Sequence, residues 1–259
     1  MDWIEAIVLG LIQGLTEFLP VSSSGHLEIA KSLFGIDPET NFYFTVAVHG
    51  ATVLSTVVVF WNEILTLLKG LLRFKMNDET SYILKLIVSM IPVGIAGLLL
   101  KEPIEKLFDG DIVFVGFMLI ITSGLLAFAH FIRKRERNIG YLDALMIGLA
   151  QAFAVIPGIS RSGATISTGL LIGNSKNQIA KFSFLMVLVP VIGANLLEIV
   201  SGEIKTGSTG AGIIFLGFIA AFVSGYLACR WMIALVRRSK LIWFSLYCLL
   251  IGLLSVLFA

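Results

Sequence analysis

Glu17 and Gln13 lie four residues apart in strongly apolar sequence, and Pro20 separates them from Ser22, Ser23, Ser24, Gly25 and His26. A second set repeats the first: the same 138 positions separate Gln13 from Gln151, Gly10 from Gly148, Ser22 from Ser160, Ser24 from Ser162 and Gly25 from Gly163. Residues four apart share a helix face, so Gln13 and Glu17 present a carboxylate and an amide beside exposed carbonyls, a natural cation site. Ser22, Ser23 and Ser24 open the next helix, whose free N–H groups and positive dipole end favour a bound phosphate. His26 falls in that helix's first turn. In the second set Ser160, Arg161, Ser162 and Gly163 also open a helix, and Arg161 adds a planar, permanently charged fork suited to phosphate oxygens. The inventory suits a phosphorylated substrate, and two related copies point to one site built from both halves.

These groups sit in a chain that is 57% hydrophobic and only 14% charged, with a mean hydropathy of +0.95. Such a composition belongs to a polytopic helical membrane protein. The net charge of +2 is too small to imply a nucleic-acid partner. Met1-Asp2-Trp3-Ile4-Glu5 has neither a basic n-region nor a cleavage site, so it reads as retained structure. Cys229 and Cys248 lie in apolar runs and suggest neither a disulfide framework nor a zinc site.

Six apolar stretches, at about 41–68, 80–100, 111–132, 177–200, 209–236 and 240–258, approach or exceed the roughly 20 residues a crossing helix requires. The two polar sets fall in shorter pieces. Residues 3–19 and 22–34 are broken at Pro20, and residues 141–156 and 160–172 at Pro157-Gly158. Proline ends a helix and serine caps the next one. Each set therefore predicts a re-entrant hairpin that turns at mid-membrane and returns to the side it started from. Loop charge agrees with this topology. Loops with Lys69, Arg73 and Lys75, with Arg133, Lys134, Arg135 and Arg137, and with Arg237, Arg238 and Lys240 alternate with loops holding Asp37 and Glu39, holding Lys101 and Lys106 against Glu102, Glu105, Asp109 and Asp111, or holding Glu203 and Lys205. The positive-inside rule then puts both termini outside the cytoplasm. The expected fold is an all-α integral membrane domain over 1–259. It has two inverted-topology repeats, 1–136 and 137–259, each a hairpin plus three spans, giving six full spans and four half-helices.

Plainer readings compete with the functional one. A serine run is a cap and turn, His26 in apolar sequence can be a packing residue, and Arg161 can merely neutralise Glu17. A carboxylate flanked by Leu15, Phe18 and Leu19 nevertheless needs a partner or a proton. His49 in the first span could support the site from behind or make an interhelical hydrogen bond, and it leans toward packing. Asn195 and Glu198 read as interhelical glue, and His130 as a boundary residue.

The segment Gln13-Gly-Leu-Thr-Glu17-Phe-Leu-Pro-Val-Ser-Ser-Ser-Gly-His26 resembles the first signature of the undecaprenyl-diphosphate phosphatases, the bacitracin-resistance family. Pro157-Gly-Ile-Ser-Arg161-Ser-Gly-Ala-Thr165 resembles the second, and the likeness continues through Phe182-Ser183-Phe184-Leu185 and Pro190. The resemblance implies an enzyme of the inner (plasma) membrane, with its site facing the outer side. It would hydrolyse a polyprenyl diphosphate, the C55 lipid, to the monophosphate that carries cell-wall precursors, and it would use Mg²⁺ or Ca²⁺. Glu17, Ser23, His26 and Arg161 become catalytic residues on this reading. Gln13, Ser22, Ser24, Gly25, Ser160, Ser162, Gly163 and Thr165 become substrate-binding, and Glu17 and Gln13 metal-binding. Many members carry glutamate where this chain has Gln13, which weakens a two-carboxylate metal site. Lys181 stands where some relatives have an acid and is not expected to be catalytic.

Three attackers are open: Ser23 activated by His26, His26 itself, or a water oriented by both. A carrier built on inverted repeats that moves a polyprenyl phosphate across the bilayer is the alternative from another class. The Ser-x-x-His pairing beside Glu17 favours the hydrolase, since transport needs no nucleophile. Sequence leaves the assembly open, with a homodimer to be tested for.

Overall fold

Local signals fix where each helix starts and stops. Asp2 and Glu5 form a reciprocal capping box, at 2.7 and 2.8 Å, that opens α1 (Trp3–Phe18). Leu19, extended at ψ 144 ahead of Pro20, closes it. Ser22 caps α2 (Ser23–Phe34), and Gly35, left-handed at φ 63, ends it. The computed structural model describes residues 1–36, 42–100, 107, 110–132, 136–193, 210–237 and 240–258. The remaining described helices are α3 (Phe42–Val59), α4 (Trp61–Leu71), α5 (Asp78–Leu99), α6 (Ile112–Phe131), α7 (Tyr141–Phe153), α8 (Arg161–Leu171), α9 (Lys176–Met186), α10 (Ala211–Arg237) and α11 (Leu241–Phe258). Four of them, α5, α6, α10 and α11, are long and apolar enough to cross a bilayer, and this is a multi-pass membrane protein. Phe128, Phe131 and Leu98 on their outer faces are more than two-thirds exposed, as lipid-facing side chains are.

Two expected spans need correction. The stretch 41–68 is not one straight helix: α3 and α4 meet at Phe60 with a bend of 73°. Three consecutive β-branched residues, Val57, Val58 and Val59, crowd the end of α3, and Asn62, Glu63 and Lys69 then draw the amphipathic α4 toward polar surroundings. The stretch 177–200 breaks at Val187 after α9 and is helical again over 188–193, with its remainder outside the described residues. Asp37, Glu39, Lys101, Glu102, Glu105, Lys106, Asp109, Arg133, Lys134, Arg135, Asn195, Glu198, Glu203, Lys205 and Arg238 also lie outside them.

Contacts give the directions of the helices. Gly10 meets the backbone of Gly217, and Gly14 meets Ala221 and Gly225, so α1 and α10 run parallel at a spacing only glycine allows. Phe44 packs on Gly217 and Ser55 donates to Phe222 O at 2.8 Å, so α3 runs the same way. With α1 and α3 pointing one way, α2 between them must run back, as a hairpin requires. In the second half, Gly148 lies against Ser89 and Tyr141 reaches Ser81 at 3.4 Å, which sets α7 parallel to α5. The ends of that hairpin are clasped together. Asp143 at the start of α7 accepts from Arg137 at 2.6 Å and from Asn174, just beyond α8, at 3.1 Å. The third pair, α6 and α11, crosses antiparallel through Gly116–Gly252 and Ser123–Ser245. Phe18, Phe60, Phe182 and Phe184 form the buried aromatic core beneath the first hairpin tip, with Phe18 edge-on to Phe184 at 5.8 Å.

Candidate active site

The tips of the two hairpins touch. Ser162 Oγ donates to Leu19 O at 3.2 Å, and a Cβ on Gly25 would stand 3.1 Å from Gly158 Cα. Each tip is pinned by a long helix. Thr122 on α6 donates to Gly158 O at 3.2 Å and accepts from Ser160 N at 3.0 Å. Cys248 on α11 donates to Pro20 O at 3.6 Å.

Glu17, in the last turn of α1, stands where the tips meet. Its Oε1 accepts from Arg161 Nη2 at 2.7 Å, and its Oε2 accepts from Ser23 Oγ at 2.7 Å and from Gln13 Nε2 at 3.0 Å. The carboxylate is 11% exposed and the guanidinium 17%. Removing one partner from so buried a pair costs about 3–5 kcal/mol, because it strands the other charge. Ser23 and Arg161 are each the first residue of their half-helix. Both side chains therefore project where free backbone N–H groups face an anion.

A cavity of about 380 Å³ opens onto this cluster. Glu17, Ser23, Ser24, Ser160 and Arg161 form its polar end, and Thr45, His49, Val93, Gln151 and Pro190 continue its walls. Several buried polar atoms here lack a partner among the described residues: Arg161 Nη1, Gln13 Oε1, and both Gln151 Oε1 and Nε2. Buried polar groups are normally satisfied, so Arg161 Nη1 and the Gln151 amide, which line the cavity, have hydrogen bonds left to make with a polar ligand or water. No group of three or more His, Cys, Asp or Glu occurs among the described residues. A hard divalent cation fits only as one that takes Glu17 and Gln13 Oε1 from the protein and its other oxygens from substrate and water.

Other expected site residues stand elsewhere. His26 does not face Ser23 or line the cavity: its Nδ1 donates to Ser22 O at 2.8 Å, and its Nε2 accepts from Tyr247 OH at 2.8 Å, with the rings stacked. One helical turn beyond the cap, His26 points across to α11 rather than toward the cavity. Ser22 caps α2 by accepting from Gly25 N at 3.3 Å. Gly25 and Gly163 serve the close approach of the tips. Ser162 joins them, and Thr165 is tied to Arg161 O at 2.8 Å and to Ser183 Oγ at 2.6 Å. These five residues shape the site from behind. Gln13, fully buried, reaches the cluster only through Glu17. Lys181 pairs with Glu63 at 3.7 Å, at a partly exposed place where such a pair contributes under about 1 kcal/mol.

Gln151, given no site role from sequence, and His49, which leaned toward packing, both line the cavity. Gln151 is the repeat mate of Gln13, and that correspondence was its available signal. His49 is the mate of Val187 by the same offset of 138, and both line the cavity.

Residues 6–254 match the family described as "Bacitracin resistance protein BacA". The chain is 51% identical over 260 residues to a protein of Bacteroides fragilis named "Undecaprenyl-diphosphatase", covering 99% of this chain and 98% of that one. It is 52% identical over 261 residues to a protein of the same name from Christiangramia forsetii, covering 100% and 99%. Methanosphaera stadtmanae has another of that name, 35% identical over 275 residues, covering 99% and 98%.

Proposed function

The chain belongs to the bacitracin resistance protein BacA family, and from that premise we propose that it hydrolyses undecaprenyl diphosphate to undecaprenyl phosphate and orthophosphate. The observation that carries the reading is the Ser23–Glu17–Arg161 cluster lining the cavity. It supplies a nucleophile, a proton acceptor and a phosphate clamp within hydrogen-bonding distance of one another.

Phosphoanhydride cleavage depends mainly on in-line positioning and charge stabilisation. Ser23 Oγ attacks the terminal phosphorus while its proton passes to Glu17 Oε2, already its hydrogen-bond acceptor. The P–O bond to the bridging oxygen breaks, and the lipid monophosphate leaves. Arg161 keeps Nη2 on Glu17 and offers the unpartnered Nη1 to the equatorial oxygens. The first N–H groups of α2 and α8 add two positive helix ends. Gln151, also on the cavity wall, supplies an unpartnered amide donor and acceptor. A Mg²⁺ or Ca²⁺ ion, held by Glu17 and Gln13, would neutralise charge on the diphosphate. The isoprenoid chain stays in lipid between the spans.

The parallel packing of α1 with α10 and of α7 with α5 supports two inverted repeats, each a hairpin followed by three crossings. Thr45 and His49 early in α3, and Val93 late in α5, put the cavity at the opposite end of these helices from the turn with Lys69, Arg73 and Lys75. By the positive-inside rule that turn is cytoplasmic, so the site opens on the outer face of the inner membrane.

The test is phosphate release from farnesyl or undecaprenyl diphosphate by protein purified in detergent with Mg²⁺. We expect steady turnover that Ser23→Ala abolishes. Binding without release would instead identify a carrier.

A further inference from the structure

α4 presents three side-chain stripes, and the fold buries only one of them. Residues at i, i+4, i+7 and i+11 share a helix face. Phe60, Ile64 and Leu67 pack into the aromatic core. Trp61, Leu65, Leu68 and Leu72 form the next face, and Asn62, Thr66, Lys69 and Arg73 the one beyond it. Trp61, Leu68 and Leu72 are exposed, and so are the four polar residues. The turn after the helix continues the mixture, with Leu72, Phe74 and Met76 alternating with Arg73 and Lys75. Phe74, at φ 49, is 92% exposed. Among the described residues Lys69, Arg73 and Lys75 form no ion pair, and no member of the two outer faces lines the cavity.

The backbone puts these faces at a bilayer surface. α3 has 18 residues, a rise of about 27 Å that nearly matches the hydrocarbon thickness of a bilayer. The 73° bend at Phe60 therefore turns α4 close to the membrane plane. Its far end is level with the start of α5, because the α5 cap Asn77 donates to Gly70 O at 3.0 Å. We propose that α4 and the turn after it form a binding site for anionic phospholipid headgroups, separate from the catalytic cavity. Trp61, Leu65, Leu68 and Leu72 lie among the acyl chains. Lys69, Arg73 and Lys75 run their aliphatic stems along that apolar surface and hold the lipid phosphates at its edge. Charge complementarity selects the ligand: each basic residue near an anionic surface favours association by about fivefold. The carboxylates of Glu63 and Glu79 stand on the other side of α4, beside Lys181 and Gly70, so they leave the basic stripe uncancelled. On the proposed topology this is the cytoplasmic leaflet, whose surface is negative.

The test uses the full chain with Trp3→Phe, Trp231→Phe and Trp243→Phe, which leaves Trp61 as the sole tryptophan. The protein is reconstituted in phosphatidylcholine bilayers containing brominated phosphatidylglycerol or, in parallel, the same fraction of brominated phosphatidylcholine. Bromine quenches tryptophan fluorescence on contact, so the two lipids report which headgroup gathers at α4. We expect quenching by both, with phosphatidylglycerol favoured by about threefold or more, and the preference lost in about 1 M NaCl. Adding Lys69→Gln, Arg73→Gln and Lys75→Gln should abolish the preference, keep the quenching by phosphatidylcholine and leave phosphate release in detergent within about twofold. Lys69→Arg, Arg73→Lys and Lys75→Arg together should keep the preference, since the charge is retained. No quenching by either lipid would leave the apolar face to a second copy or another protein and overturn the proposal. Equal quenching by the two lipids in the parent would overturn it as well. So would a preference that survives either the glutamine substitutions or high salt, and the salt arm decides should the glutamine variant fail to fold.

Discussion

The two hairpin tips share a frame and divide the chemistry. Ser22 and Ser160 cap their half-helices in the same way, each accepting from a glycine N–H three residues on, at 3.3 and 3.1 Å. The next residue in each is the first of its helix: Ser23 in one tip and Arg161 in the other, 138 positions apart. On the proposed mechanism one socket thus holds the attacking hydroxyl and its mate the phosphate clamp. Glu17 has no such counterpart, because its mate is the apolar Val155. A cation and a hydroxyl from opposite tips converge on one carboxylate, so neither tip works alone. A duplicated frame supplies two helix N-termini, and the asymmetric side chains make that pair the proposed reaction centre.

The largest effects should come from removing that asymmetry. Glu17→Gln leaves Ser23 without its proton acceptor and Arg161 without its counter-charge. Phosphate release should fall by about 10³-fold or more, while substrate binding persists. Arg161→Lys keeps the charge but loses the planar fork that reaches Glu17 and the phosphate together, and should lose about 10–10²-fold. Full activity in the lysine variant would mean that Arg161 acts as a point charge only. Steady-state release assays in detergent read both.

Backbone strain distinguishes the tips at a smaller scale. Tip two uses Gly158 at φ 89, where a Cβ would collide with the Val115 carbonyl and with Met118. Tip one places a serine, Ser22, at φ 71. Left-handed backbone costs a non-glycine residue about 1–2 kcal/mol, and such strain gathers where surrounding contacts impose it. Gly158→Ala should therefore lower thermal stability by about 2–4 kcal/mol through strain and collision together. Ser22→Gly exchanges a cap for relief of strain and should shift stability by less than about 1 kcal/mol in either direction. Calorimetry or a thermofluor melt of the detergent-solubilised proteins gives both values, and equal losses would erase the proposed difference.

Sequence made much of this frame legible because the membrane leaves few ways to satisfy a broken helix. Pro20 and Pro157 with their following serines mark both tips within a residue or two, since proline and caps act locally. Four spans were readable for the same reason: unbroken apolar length has one meaning in a bilayer. The bend at Phe60 was not, because Val57–Trp61 is as apolar as the helix it ends, and only the β-branched crowding hints at a break. Glu17, Ser23 and Arg161 were readable as buried polarity that needs a partner. The histidines were not. Spacing puts His26 one turn from Ser22, but the direction of its ring depends on Tyr247, 221 residues away. His49 gains its place from α3 packing on α10 and α1, which no local pattern encodes.

The two histidines give the smallest predicted effect and a sharp one. Tyr247→Phe removes the hydroxyl that occupies His26 Nε2 but keeps the stacked ring. The lost hydrogen bond should cost about 0.5–1.5 kcal/mol of stability. Release of phosphate should stay within about threefold, because on the proposed mechanism His26 holds α2 against α11 at the back of the tip and takes no proton from Ser23. The same variant discriminates against a Ser23–His26 pair. If His26 were the base, freeing its lone pair would alter turnover far more than stability. Loss of stability with turnover intact assigns His26 to holding the tip, and leaves Ser23 to the carboxylate that already accepts its hydrogen bond.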